Sequence, residues 1–108
     1  MSSVLLEIKG SVGIITLNRP DKLNSFNREM SLQLHEKLDE CKGREVRCVY
    51  ITGAGKGFSA GQDLAEVVDP SGPGMAKILS EHYNPIIERI RRLEKPVVAA
   101  INGVAAGA

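Results

Sequence analysis

Aromatic side chains make up only 4% of this sequence, and tryptophan is absent. Any interior must therefore be assembled from Val, Ile, Leu, Met and Ala. Charge of one dominant sign is missing as well. Lys and Arg number 14 against 13 Asp and Glu, a net charge of +1. That balance leaves no electrostatic footprint for nucleic acid or a membrane surface, and neither is expected as a partner. No apolar run approaches the length of a membrane span. Met1-Ser2-Ser3-Val4 lacks a basic region followed by an apolar one, so no signal peptide is expected. Cysteine is scarce: Cys41 and Cys48 fit no metal or redox spacing, which predicts two buried, reduced thiols and no metal site. What remains is 43% apolar over 108 residues, enough for one small soluble α/β domain, expected to be cytoplasmic.

The apolar pattern changes period along the chain. Val4, Leu6 and Ile8 alternate with polar neighbours in a strand over 4–9. Gly10-Ser11 reads as a two-residue turn into a second strand over 12–17. Asn18-Arg19-Pro20-Asp21 breaks the pattern. Asn27 is a candidate N-cap for a helix to about Lys42, with Met30, Leu34, Leu38 and Cys41 on one face and Gly43 as its stop. Val46 to Thr52 reads as a strand buried on both faces. Asp63 is placed to cap a short helix through Val67. Asp69-Pro70-Ser71-Gly72-Pro73-Gly74 reads as a flexible linker. Met75 to Leu93 has helical spacing, with Pro85 expected to kink it or to start its second half. Val97 to Ile101 reads as a fourth buried strand ending in the turn Asn102-Gly103. Strands separated by helices predict a mostly parallel sheet behind a leading β-hairpin. The order stops just after a strand and turn, where another helix would normally follow, and this predicts a truncated domain.

Two segments could carry chemistry. Gly53-Ala54-Gly55-Lys56-Gly57-Phe58-Ser59-Ala60-Gly61-Gln62-Asp63 follows a strand and precedes a helix. Loops at the carboxyl ends of parallel strands are where α/β sheets bind ligands, and glycine lets the backbone approach and aim N–H groups at an anion. The plainer alternative on glycine content alone is a flexible connection. A dinucleotide fingerprint fails because Phe58 stands where glycine is needed. A phosphate-binding P-loop fails because Gly57, not Ser or Thr, follows Lys56. Gly57-Phe58-Ser59-Ala60-Gly61 does match the nucleophile elbow of serine hydrolases, and Asp69 and His82 follow in the required order. Only one strand remains to carry those partners, and His82 lies within a helical pattern, so Ser59 is not expected to be a nucleophile. The second segment runs from Lys95 to Ala108, a strand and an Asn-Gly turn followed by small residues only. Small side chains admit a ligand or another backbone, although close core packing would use them too.

Three stretches together are more specific. Asn18-Arg19-Pro20-Asp21-Lys22-Leu23-Asn24-Ser25, Gly57-Phe58-Ser59-Ala60-Gly61-Gln62-Asp63-Leu64 and Lys95-Pro96-Val97-Val98-Ala99-Ala100-Ile101-Asn102-Gly103-Val104-Ala105 resemble, in order, three motifs of the enoyl-CoA hydratase/isomerase (crotonase) superfamily. The resemblance covers essentially the whole chain. Ala60 to Leu64, Asp69 to Pro73, Tyr83-Asn84-Pro85 and Gly103 to Ala108 look most like its epoxyphenylacetyl-CoA isomerase branch, which serves phenylacetate breakdown.

The resemblance implies part of a crotonase-like ββα spiral, with residues 1–108 as its amino-terminal portion and the half with the catalytic carboxylates absent. It implies a CoA thioester as substrate, with no tightly bound cofactor, coenzyme A entering only as part of that substrate. Two backbone N–H groups, those of Gln62 and Ala108, would form the oxyanion hole for an enolate-like intermediate. Family members mostly have glycine where Ala108 stands. Lys22 and Leu23 match a segment along the adenosine and pantetheine parts of CoA. Ala60, Asp63 and Leu64 match positions lining the CoA pocket. Some relatives carry a basic residue in place of Ala65. Full-length members form trimers or pairs of trimers, so a homo-oligomer is implied. Without its proton-transfer groups the 108-residue chain alone is expected to be inactive and to self-associate. The alternative is a non-catalytic CoA-thioester-binding or assembly module.

Overall fold

The computed structural model describes residues 2–108. Strand β1 (Val4–Lys9) and strand β2 (Val12–Leu17) form an antiparallel hairpin in which Lys9 pairs with Val12, so Gly10-Ser11 is the whole turn. Gly10 takes a left-handed φ of 59°, which glycine adopts without steric cost. Strand β3 (Cys48–Gly53) lies parallel to β2, and strand β4 (Val97–Ala99) lies parallel to β3. The sheet order is β1-β2-β3-β4.

Helix α1 (Arg28–Glu40) fills the connection between β2 and β3. It starts as its sequence predicts: the Asn27 side chain accepts a hydrogen bond from the Met30 N–H at 2.9 Å. Its end differs. The helix stops at Glu40, and Gly43 is not a left-handed cap. The Lys95 ammonium instead donates to the Cys41 and Gly43 carbonyls at 2.6 and 2.7 Å. A cation at a helix carboxyl end satisfies orphan carbonyls and opposes the helix dipole.

Between β3 and β4 run α2 (Leu64–Val68), α3 (Met75–Ile78) and α4 (Asn84–Arg92). Pro85 stands in the first turn of α4 and so opens the second half of this stretch, as its sequence predicts. Residues Leu79–Tyr83 form a π-helical turn joining α3 to α4, and the Asn84 N–H reaches back to the Leu79 carbonyl. The wider turn absorbs the register in front of a residue that cannot donate.

One face of the sheet presents Val4, Ile15, Leu17, Val49 and Ile51 to Met30, Leu34 and Leu38 of α1 and Ile86 of α4, all buried. Each such side chain contributes roughly 1.5–3 kcal/mol of hydrophobic stabilisation. The opposite face corrects the expectation of strands covered on both sides. Tyr50 on β3 is 38% exposed and its β4 neighbour Val98 is 48% exposed. Beyond Ala99 the chain leaves the strand, and Ile101 is exposed. Cys41 is buried, and burial raises its thiol pKa, whereas Cys48 is only partly buried. Among the described residues no helix is long and apolar enough to cross a membrane.

Candidate functional site

The glycine-rich loop after β3 is held by two asparagines from distant parts of the chain. Asn24 is fully buried and takes a left-handed φ of 55°. Its amide donates to the Ala54 and Gly57 carbonyls at 3.0 and 2.9 Å, and its carbonyl accepts from the Arg19 N–H at 2.8 Å. Asn102 donates to the Gly55 and Gly57 carbonyls at 3.2 Å each and accepts from the Gly53 N–H at 3.1 Å. Gly57 O is thus gripped from both sides. The loop is not a slack connection.

Residues 58–63 then run between two other segments. The Phe58 and Ser59 N–H groups donate to the Val104 carbonyl at 2.9 and 3.1 Å, and the Ala106 N–H donates to the Ser59 carbonyl at 3.0 Å. On the other side, Ala60 N–H donates to Leu23 O at 2.9 Å and Phe26 N–H donates to Gly61 O at 2.7 Å. Asp63 N–H donates to Phe26 O at 2.8 Å. Gly61 occupies the crossing point with a φ of 94°. A side chain there would put its Cβ 2.8 Å from the Ala106 carbonyl oxygen and 3.2 Å from the Ala108 nitrogen. The Gln62 loop and the chain at Ala108 therefore touch backbone to backbone.

Lys22, Ala60, Gln62, Asp63, Leu64 and Ala108 line one open cleft of about 520 Å³ together with Ser25, Ala65 and Gly107. Leu23 is the exception among the residues singled out in the sequence. Its side chain lies against Gly57, and its carbonyl serves the Ala60 N–H. Gly107 and Ala108 also border a second, mainly apolar cleft of about 380 Å³, with Phe26, Phe58, Ile86 and Ile90 in its walls. Among the described residues neither the Gln62 N–H nor the Ala108 N–H donates a hydrogen bond.

Asp63 is committed to the fold. One carboxylate oxygen accepts from the Ala65 N–H at 3.0 Å, capping α2, and the other accepts from Arg19 at 3.0 Å. Arg19 also donates to the Ser25 carbonyl at 2.6 Å. Ser59 is likewise committed: its hydroxyl donates to the Asn24 carbonyl at 2.8 Å and accepts from the Gly61 N–H at 3.2 Å. His82 does not face it. The His82 ring is fully buried, with Nε2 3.3 Å from an Arg28 nitrogen and Nδ1 3.7 Å from Glu66. Asp69 is occupied by its own Ser71. The elbow-like sequence around Ser59 therefore builds no hydrolase triad.

Sequence reasoning missed a polar cluster beneath the cleft. The Tyr83 hydroxyl donates to the Gln62 side-chain carbonyl. The Gln62 amide donates to the Glu66 carboxylate at 3.1 Å, whose other oxygen accepts from the Arg28 N–H at 2.8 Å. Burial, reinforced by Glu66, pushes the Tyr83 phenol up to about 12. Burial pushes the His82 pKa down. Among the described residues no three His, Cys, Asp or Glu side chains gather as a metal-binding group. The arrangement can present backbone donors to an oxygen atom, while the carboxylates nearest them, Asp63 and Glu66, are already bonded.

Residues 7–108 match the Enoyl-CoA hydratase/isomerase family. The chain is 47% identical over 112 residues to the 1,2-epoxyphenylacetyl-CoA isomerase of Escherichia coli (strain K12), covering 100% of this chain and 43% of that protein. It is 38% identical over 113 residues to a short-chain-enoyl-CoA hydratase of Clostridium acetobutylicum, covering 99% of this chain and 41% of that protein. Its fold superposes with a TM-score of 0.88 and 31% identity on an enoyl-CoA hydratase/carnithine racemase from Magnetospirillum magneticum, over 99% of this chain and 41% of that one. The chain thus spans about two fifths of the length of the curated relatives it matches. With the three sequence motifs, the hairpin-led parallel sheet and the match over nearly every residue, the chain belongs to the enoyl-CoA hydratase/isomerase family.

Proposed function

We propose that this chain is the amino-terminal portion of an acyl-CoA isomerase, and that it binds the CoA thioester across the cleft between the Gln62 loop and Ala108. The observation that carries this reading is the backbone contact at Gly61. It brings together two loops whose N–H groups, at Gln62 and Ala108, have no other partner among the described residues. Removing a proton beside a thioester places negative charge on the carbonyl oxygen. Two preorganised N–H donors offset that charge, and in comparable sites a single such donor is worth about 2.7–4 kcal/mol of barrier. Donors from the main chain depend on loop shape rather than side-chain type, which suits walls of Gly and Ala. Lys22, Ala60 and Leu64 would flank the CoA moiety, with Lys22 as the cation nearest its phosphates. Asp63 would act through the loop it caps rather than by touching CoA.

Isomerisation is favoured over hydration by the 47% identity to an isomerase. The acid and base groups that move protons would lie outside these 108 residues, since Asp63 and Glu66 are bound elsewhere. The chain alone would then stabilise charge without turning substrate over. The whole protein would be a cytoplasmic homo-oligomer in this reading, a trimer or a pair of trimers, resting on the resemblance seen in the sequence.

Titration calorimetry with an acyl-CoA and with free CoA tests the site. The full-length protein should bind the thioester, and Gly61→Val should abolish most of that binding by forcing the Gln62 loop off Ala106. The reading fails if the full-length protein ignores acyl-CoA, or if Gly61→Val binds it as the parent does.

A further inference from the structure

Gln62 is held differently from the rest of its loop. The peptide between Gly61 and Gln62 carries the Gly61 carbonyl at one end and the Gln62 N–H at the other, pointing in opposite directions. Phe26 fixes the carbonyl end at 2.7 Å and the following Asp63 N–H at 2.8 Å. Those two bonds are the rungs of a bridge between Phe26 and Gln62. The side chain provides the third point. Its carbonyl accepts from Tyr83, at the end of the π-helical turn, and its amide donates to Glu66 on α2. Glu66 is itself fixed to the first N–H of α1. The Tyr83 ring packs edge-on to Phe26, with centroids 6.1 Å apart, so one tyrosine braces both sides of the bridge.

We infer that Tyr83 is a positioning residue for the thioester site: through the Gln62 side chain it sets the direction of the Gln62 N–H toward the substrate carbonyl. This deepens the function proposed above and rests on it. The phenol keeps its proton throughout the neutral range, its pKa being raised to about 12, so it remains a donor under working conditions. The π-helical turn preceding Pro85 gives the device its geometry. Such turns are rare in helices and frequent at functional sites, and this one ends on Tyr83.

Tyr83→Phe removes one oxygen and keeps the ring against Phe26. The probe is crotonyl-CoA isotopically labelled at its thioester carbonyl, bound to the full-length protein and read by infrared difference spectroscopy. A carbonyl held by two N–H donors absorbs at lower frequency than the same group in water. Tyr83→Phe should lose most of that shift and bind crotonyl-CoA up to about tenfold more weakly, the span of one hydrogen bond. Free CoA, which has no carbonyl at the site, should bind unchanged. Gln62→Leu keeps the main-chain N–H, drops the side-chain amide and should reproduce the loss. It also carries the test if Tyr83→Phe melts the fold. A full shift in both variants overturns the positioning role, and so does equal weakening of CoA and crotonyl-CoA, which would mark a merely structural residue. A parent protein that binds crotonyl-CoA with no carbonyl shift overturns the oxyanion reading itself, and the role of Tyr83 with it.

Discussion

Replacing Asn24 should damage this fold more than its short, polar side chain suggests. Asn24→Ala removes the acceptor of the Arg19 N–H and one donor to Ala54 O, while Gly57 O retains Asn102 at 3.2 Å. Two backbone groups are then left without partners, at about 1–3 kcal/mol each. The residue also sits at a φ of 55°, where alanine is worse than asparagine by about 1 kcal/mol. The sum is about 5 kcal/mol, a large share of the roughly 5–15 kcal/mol that holds a domain folded. With a urea dependence of about 1–3 kcal/mol per molar, the midpoint should fall by roughly 2–3 M. Asn24→Gly separates the two effects. It loses the same hydrogen bonds but tolerates the left-handed backbone, so it should unfold about 1 kcal/mol later than Asn24→Ala. Urea titrations of the parent and both variants settle it. A loss below about 1 kcal/mol for Asn24→Ala would show that water replaces the amide freely, and would refute the view that Asn24 clamps the loop.

Ser31 is buried in α1 with a hydroxyl that has no partner among the described residues, so Ser31→Ala should raise the melting temperature by the equivalent of about 1 kcal/mol, measured by calorimetry. The acid side of the stability profile should be governed partly by His82, which faces Arg28 and His35 of α1, Glu66 of α2 and its neighbour Glu81. Arginine can only donate, so Nε2 is the acceptor and the neutral ring carries its proton on Nδ1. Burial lowers the folded pKa below the ordinary 6.5, so the unfolded chain binds the proton more readily. The contribution of neutral His82 is complete above 6.5 and is lost as pH falls from there toward the depressed folded value. Urea titrations across that range should show stability falling with acid, and His82→Gln should flatten the slope; an unchanged slope would assign it to other groups.

The features legible in the sequence are those whose physics is local. Alternation in 4–9 names the face that Val4 and Leu6 present to the core. Asn27 and Asp63 cap their helices because an N-cap depends on the few residues that follow it. The Gly53 to Asp63 loop and the small residues to Ala108 announced a place for close backbone approach, and the two do meet at Gly61. What stayed hidden depends on partners distant in the chain. Asn24 stood inside a recognised motif, yet its work is done on carbonyls 30 and 33 residues away. Asp63 carried a pocket-like signature, and only its pairing with Arg19, 44 residues earlier, shows where its charge is used. A strand's apolar run reports that both faces tolerate burial and says nothing about which face is covered, as exposed Tyr50 and Val98 demonstrate. The same holds for Tyr83. Its stretch has helical spacing, which does not show that the turn before Pro85 is π-helical or that the phenol reaches Gln62. The proline that opens the second half of the helix thus follows the turn that carries a tyrosine to Gln62, a contact visible only once the helix and the loop share a frame.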